Sequence, residues 1–315
     1  MNRIYTWALI SWLTAAGCQF QKKNTADLSL EDYSNDADVN LFRAIPEKAE
    51  EAPTATNVIT PNTQTPINNT KQSFAESILF QPTKFPKGFQ ALSRNGQPVE
   101  FKSEDGTKLD GLFFPSKQPK HIILFCHGNS GNLGFRAPRM SALQKRHAVS
   151  IFIFDYRGYG RSQGKPTISG VLADGRAAVR KAAELADVSP SEVIIMGRSL
   201  GGAVAVQLAQ QFKSKALIIE SSFTSFTDIA KHHARLFSWL TRKNDLDSES
   251  VIQDYHGKVL ISHGTQDWIV PFEQGQRLFA AANQPKQFYR IEKGGHNDRM
   301  PDRYEQILET FLEDL

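Results

Sequence analysis

Ser199, Asp267 and His296 are the residues whose types and spacing in this chain could do chemistry together. Gly197-Arg198-Ser199-Leu200-Gly201 reads G-x-S-x-G. On a sharp turn between a strand and a helix, that pattern pushes the serine hydroxyl out of the backbone, where it can act as a nucleophile. A serine hydroxyl needs a base, and the base needs an orienting acid. In a parallel sheet those partners belong in loops at the carboxyl ends of later strands, in the order serine, acid, histidine. Lys258-Val259-Leu260-Ile261-Ser262 runs into His263-Gly264-Thr265-Gln266-Asp267, and Phe288-Tyr289-Arg290-Ile291 runs into a Gly294-Gly295-His296 loop. The order predicts Ser199 as nucleophile, Asp267 as acid and His296 as base. A tetrahedral oxyanion needs preorganised donors. The Leu200 N–H, next to the serine, is one; the loop after an early strand should supply the other, here the Asn129 N–H, with Ser130 as its alternate. This chemistry calls for no metal and no cofactor.

Each assignment competes with a plainer one. G-x-S-x-G arises by chance about 0.1 times in a chain this long and is by itself only a glycine-rich turn. Its setting adds weight. Val193-Ile194-Ile195-Met196 is the apolar run of a strand buried on both faces, and Ala203 to Phe212 suits a helix. A Cβ at Gly197 or Gly201 should clash where strand and helix cross. Of the eight histidines, His121 reads as a packing residue in a strand. His147, His232, His233 and His256 read as surface, and His263 as part of the turn before Asp267. His127 precedes the serine, the wrong order for the base. Glu220, ending the apolar run Ala216–Ile219, is the rival acid. Asp298 either anchors the histidine loop or is solvated. Asn132 should cap a helix, and Cys126 should be an inert packing thiol.

The elements that must position these groups alternate along the chain. Val99–Lys102 and Leu109–Phe114 bracket Asp105-Gly106, a hairpin signal. Strands follow at His121–Cys126, Val149–Phe154, Val193–Met196, Ala216–Ile219, Val259–Ser262 and Gln287–Ile291. Helices are expected over Val171–Leu185, Phe272–Ala282 and Pro301–Leu315. An antiparallel start followed by alternating strands and helices predicts an α/β class: a mostly parallel central sheet with helices on both faces. The stretch Ser221–Lys258 must hold a crossover helix, so it leaves room for only a small cap and an open site. Within it, Ile229–Leu240 carries Phe237, Trp239 and Leu240, which line an acyl groove or simply belong to the core.

The chain has 315 residues, 40% of them apolar, and a net charge of +4. That length suits one large domain with extras, and no Lys/Arg block marks a nucleic-acid footprint. Residues 1–17 read as an export signal: Arg3, an apolar stretch Ile4–Leu13 too short to span a bilayer, then Ala15-Ala16-Gly17 before Cys18. Small residues directly before a cysteine resemble a bacterial lipobox, with Cys18 the lipidated residue; an ordinary secretory signal with an incidental cysteine is the alternative. Cys126 is the only other cysteine, so an acylated Cys18 leaves no intramolecular disulfide. Gln19 in place of aspartate fits the outer membrane, if the source is Gram-negative. Residues 18–73 read as a polar, acidic, disordered tether with an end-to-end distance of roughly 40 Å. Residues 74–315 read as the folded domain. The expected partners are an acyl ester substrate, small molecule or lipid, and the membrane through Cys18; the oligomeric state is left open.

From about Ser77 onward the chain resembles the alpha/beta-hydrolase superfamily, most of all its small-cap serine hydrolases of the protein-depalmitoylase and bud-emergence type. The resemblance rests on six motifs: His127-Gly128-Asn129-Ser130-Gly131-Asn132, Asp155-Tyr156-Arg157-Gly158-Tyr159-Gly160-Arg161-Ser162, Gly197-Arg198-Ser199-Leu200-Gly201-Gly202, Glu220-Ser221-Ser222-Phe223-Thr224-Ser225, His263-Gly264-Thr265-Gln266-Asp267 and Gly295-His296-Asn297-Asp298. It implies the same Ser199, Asp267 and His296, hydrolysis of carboxylic esters or thioesters through an acyl-enzyme, and a Tyr156–Ser162 loop that shapes the floor of the site. The amino-terminal region matches neither the cysteine cluster nor the membrane helix of some such proteins, so their membrane contacts do not carry over. The alternatives in other classes are a silent surface lipoprotein that uses the same frame for binding, and a peptidase or amidase with the same three residues.

Overall fold

A computed structural model describes residues 72–85, 96–234 and 246–315. The signal segment, Cys18 and nearly all of the tether lie outside the described residues, as do Phe237, Trp239 and Leu240.

The described chain runs α1 (Phe74–Leu79), β1 (Gln97–Lys102), β2 (Lys108–Phe114), β3 (Ile122–Cys126), α2 (Leu133–His147), β4 (Ser150–Phe154), α3 (Ile168–Ala186), β5 (Ile194–Arg198), α4 (Leu200–Phe212), β6 (Ala216–Glu220), α5 (Phe226–Ala234), α6 (Ser248–Ile252), β7 (Lys258–Gly264), α7 (Phe272–Ala281), β8 (Lys286–Ile291) and α8 (Asp302–Glu313). The eight strands form one sheet in the order β1-β2-β4-β3-β5-β6-β7-β8. β1 pairs antiparallel with β2, and β2 antiparallel with β4. Every later pair is parallel. This is the mostly parallel sheet with an antiparallel start that the alternation of elements predicts.

The sequence explains the layering. β3, β4 and β6 are buried at every position, and β5 at all but its last, as strands covered on both faces must be. Successive side chains point to opposite faces. Leu124, Cys126 and Ile195 therefore join one core with Val179 of α3 and Val204 and Leu208 of α4. Ile123, Phe125, Ile194 and Met196 join the other, with Met140 of α2 and Leu308 and Phe311 of α8. In the hairpin, Lys102 stands opposite Lys108, and Gly106 takes φ +83 with open space around it. The glycine is there for its backbone, not for room. Asn132 caps α2 as expected, accepting from Gly134 N at 3.0 Å.

His147 departs from the surface position expected of it. It is buried, and its Nε2 lies 3.0 Å from Glu305 Oε2. Helical spacing places it one turn beyond Leu143 and two beyond Met140, on the face that packs toward α8. α5 and α6 lie within the Ser221–Lys258 stretch, where a crossover helix is expected.

Candidate active site

The nucleophile position is a strand–helix elbow. β5 ends at Arg198, Ser199 takes φ 54 and ψ −123, and α4 starts at Leu200. Positive φ is costly for a residue with a Cβ, and it persists only where the surroundings impose it. They do so here. The Ser199 N–H donates to the Glu220 carbonyl at 2.9 Å, and the Ser199 carbonyl accepts from Gly202 N at 2.9 Å and Ser222 Oγ at 2.8 Å. The clash expected at the two glycines is real. A Cβ on Gly197 would lie 2.1 Å from the Gly201 carbonyl oxygen, and one on Gly201 would lie 2.0 Å from that of Cys126. That second contact presses the start of α4 against the end of β3, so Leu200 and the loop after Cys126 are neighbours.

Asp267 and His296 meet. His296 Nδ1 lies 2.7 Å from Asp267 Oδ2, with both side chains buried. The other Asp267 oxygen accepts from Ile269 N at 3.0 Å and Val270 N at 2.8 Å. Burial alone would raise the Asp267 carboxyl. Hydrogen bonds from His263 and His296, with the Val270 N–H, outweigh it and hold the carboxyl well below the usual carboxylate range. An ionised carboxylate only accepts, so the proton between the pair belongs on His296 Nδ1. His296 Nε2 is buried and makes no hydrogen bond. Ser199 Oγ is therefore not yet hydrogen-bonded to it; such contacts often tighten only when substrate is bound.

The two loops hold each other. Gln266 N donates to the Gly294 carbonyl at 2.9 Å, Thr265 N to the Ile291 carbonyl at 3.0 Å, and Lys293 N to Thr265 Oγ1 at 2.8 Å. Asp298 anchors the histidine loop through Gly295 N at 2.7 Å while its side chain stays exposed. Arg198, the residue before the serine, donates from its guanidinium to the His296 carbonyl. Sequence reasoning missed this tie, because nothing about an arginine in that slot signals a partner nearly a hundred residues away.

The remaining candidates take other places. Glu220 does not orient the histidine. Arg139 grips it with two hydrogen bonds, at 2.7 and 2.5 Å, and Tyr304 Oη donates at 2.7 Å. Burial opposes its ionisation, but the Arg139 charge and these bonds prevail and lower its pKa. Glu220 serves the elbow only through its carbonyl. His263 is fully buried behind Asp267, with Nε2 2.9 Å from the Val270 carbonyl. His121 lies 2.9 Å from the Leu312 carbonyl. Burial pushes the Cys126 thiol up to about 12, a group with no nucleophilic role at neutral pH. Asn129 and Ser130 follow β3 in a buried loop beside Leu200. Tyr156 Oη donates to the His127 carbonyl at 3.1 Å and Tyr159 Oη to Asn129 Oδ1 at 2.9 Å, so the Tyr156–Ser162 loop lies against this one. Arg157 fixes that loop in turn on Asp174 of α3, at 2.7 Å, and on Asp105, at 2.8 Å.

Residues 121–251 match the model of the alpha/beta hydrolase fold family. Alpha/beta hydrolase domain-containing protein 17B of Homo sapiens is 35% identical over 227 residues, 71% of this chain and 77% of that protein. Protein bem46 of Schizosaccharomyces pombe is 30% identical over 255 residues, 75% of this chain and 85% of that protein. Among solved structures, the esterase Pf2001 of Pyrococcus furiosus superposes with a TM-score of 0.62 at 18% identity, over 75% of this chain and 98% of that one.

Proposed function

The chain belongs to the alpha/beta hydrolase family, and on that premise we propose that it is a serine hydrolase cleaving carboxylic esters or thioesters through an acyl-enzyme on Ser199. The observation that carries this reading is the buried His296–Asp267 pair, whose Nε2 is left without a hydrogen-bond partner, downstream of a serine held at positive φ. His296 Nε2 takes the Ser199 proton as Oγ attacks the acyl carbonyl. Asp267 keeps the imidazole in the tautomer that can do so and stabilises the imidazolium. The N–H groups of Leu200 and Asn129 meet the oxyanion. The imidazolium returns its proton to the departing alcohol or thiol, and water, activated by the same histidine, frees the acid. The esterase neighbour in structure and the relatives in sequence support the hydrolase class; the short Ser221–Lys258 stretch leaves room for only a small cap, which suits an open site rather than a deeply lidded lipase.

A fluorophosphonate probe tests it. The folded wild type should become labelled at Ser199, and it should turn over members of an ester and thioester panel graded in chain length. A folded wild type that stays unlabelled would overturn the hydrolase and favour a binding role for the same frame.

We further propose that the mature protein is exported and anchored through lipid on Cys18, with residues 18–73 as tether. The small-residue run before Cys18 supports this, and acyl chains give about 0.8 kcal/mol per buried CH₂. Cys18→Ser should move the protein from the membrane to the soluble fraction. Unchanged fractionation would sink the anchor without touching the hydrolase.

A further inference from the structure

Before the sheet begins, an arm of chain reaches the proposed oxyanion loop. Ser73 and Glu76 form a capping box that starts α1, and Glu76 also accepts from Ile168 N at 2.8 Å, at the head of α3. Phe80 is buried in the core. Beyond it, the Thr83 carbonyl accepts from Asn132 Nδ2 at 3.2 Å and from Gly160 N at 3.0 Å. One peptide of the arm thus joins the Gly128–Asn132 loop to the Tyr156–Ser162 loop. Lys84 Nζ donates to the Ser162 carbonyl at 2.8 Å. The Phe85 ring fills the space beside Gly134, where a Cβ would lie 2.7 Å from it.

At the centre of this contact is the Asn129 side chain, 3% exposed. Its Oδ1 accepts two hydrogen bonds, from Gln81 N at 2.8 Å and from Tyr159 Oη at 2.9 Å. A backbone N–H can only donate, so the oxygen must face Gln81 and the amide cannot be turned over. Its Nδ2 is buried and makes no hydrogen bond. An orphaned buried donor is costly, a poor choice for a position that serves packing alone.

We propose that Gln81, through its N–H, and Tyr159, through its hydroxyl, are positioning residues that clamp Asn129 Oδ1 and so aim the Asn129 N–H at the developing oxyanion. This rests on the oxyanion role assigned above to Asn129. Oxyanion donors act only if held at the place where charge develops, and misplacement of about 1 Å can cost 10²-fold. Loosening the clamp should weaken the transition state more than the ground state, which lowers kcat and spares KM.

The test uses the full chain. Tyr159→Phe removes one donor and keeps the ring. Gln81→Pro removes the other; Phe80, at φ −97 and ψ 121, already has the extended backbone that a following proline demands. Each variant should lower kcat about tenfold on the best ester, with KM within about twofold, and slow fluorophosphonate labelling in proportion. The double variant should be little slower than the slower single, since both donors serve one oxygen. Folded Tyr159→Phe with wild-type kcat, or with a raised KM and unchanged kcat, overturns the clamp; this variant decides the matter if Gln81→Pro does not fold. A wild type that the probe does not label overturns the hydrolase itself, an outcome distinct from labelled wild type with unaffected variants.

Discussion

Ser199→Ala is expected to lower kcat for the best ester by about 10⁶-fold while leaving the fold in place. The substitution deletes one oxygen and nothing that holds the elbow. The bonds that impose positive φ run through the Ser199 backbone, to the Glu220 carbonyl, Gly202 N and Ser222 Oγ, and alanine keeps all of them. The Gly197–Gly201 contact is likewise untouched. Initial rates, probe labelling and thermal unfolding on one preparation check the prediction. Labelling should vanish and Tm should hold within about 2 °C, a shift of less than ~1 kcal/mol. Loss of activity smaller than tenfold would mean that another group is the nucleophile.

Asp267→Asn should lower kcat by about 10⁴-fold. The reason is the direction of one proton. Asp267 Oδ1 accepts from the Ile269 and Val270 N–H groups, so the asparagine oxygen must stay on that side, because two donors facing its NH₂ would clash with it. The amide nitrogen then faces His296 Nδ1 and donates to it. The ring must carry its own proton on Nε2, and the lone pair needed by Ser199 is gone. Geometry survives while the base is lost, so Tm should fall far less than kcat does. Rates from the pure variant, checked against Ser199→Ala as background, decide it. An Asp267→Asn enzyme within tenfold of wild type would mean that another carboxylate orients the base.

Glu220 was the rival for that role, and its fate shows what a sequence conceals. At the end of β6 it is the first acid after the serine in chain order, and nothing local distinguishes it from a partner of His296. The structure turns its carboxylate toward Arg139 of α2 and Tyr304 near the start of α8, residues that share no spacing with it. His147 was misplaced for a similar reason. Its burial depends on α8, which shares a core with α2 although more than a hundred and fifty residues separate His147 from Glu305. The Asn129 clamp was invisible as well, because a main-chain N–H has no sequence signature and Gln81 lies 48 residues before the oxygen it serves.

What the sequence determined by itself are the features set by local chemistry: short apolar runs that suit strands buried on two faces, the glycines that let a strand and a helix cross within contact distance, the Asn132 cap, and the serine, aspartate and histidine placed in that order after β5, β7 and β8. Each is fixed by neighbours a few residues away, through backbone sterics and the two-residue period of a strand. Only the tertiary structure decided which carboxylate meets His296, that Arg198 ties the serine turn to the histidine loop, and that an arm outside the sheet grips Asn129. Those are long-range hydrogen bonds between buried polar groups. They form because each such group must find a partner wherever the packing of the layers brings one within reach, and that packing belongs to the whole chain rather than to any segment of it.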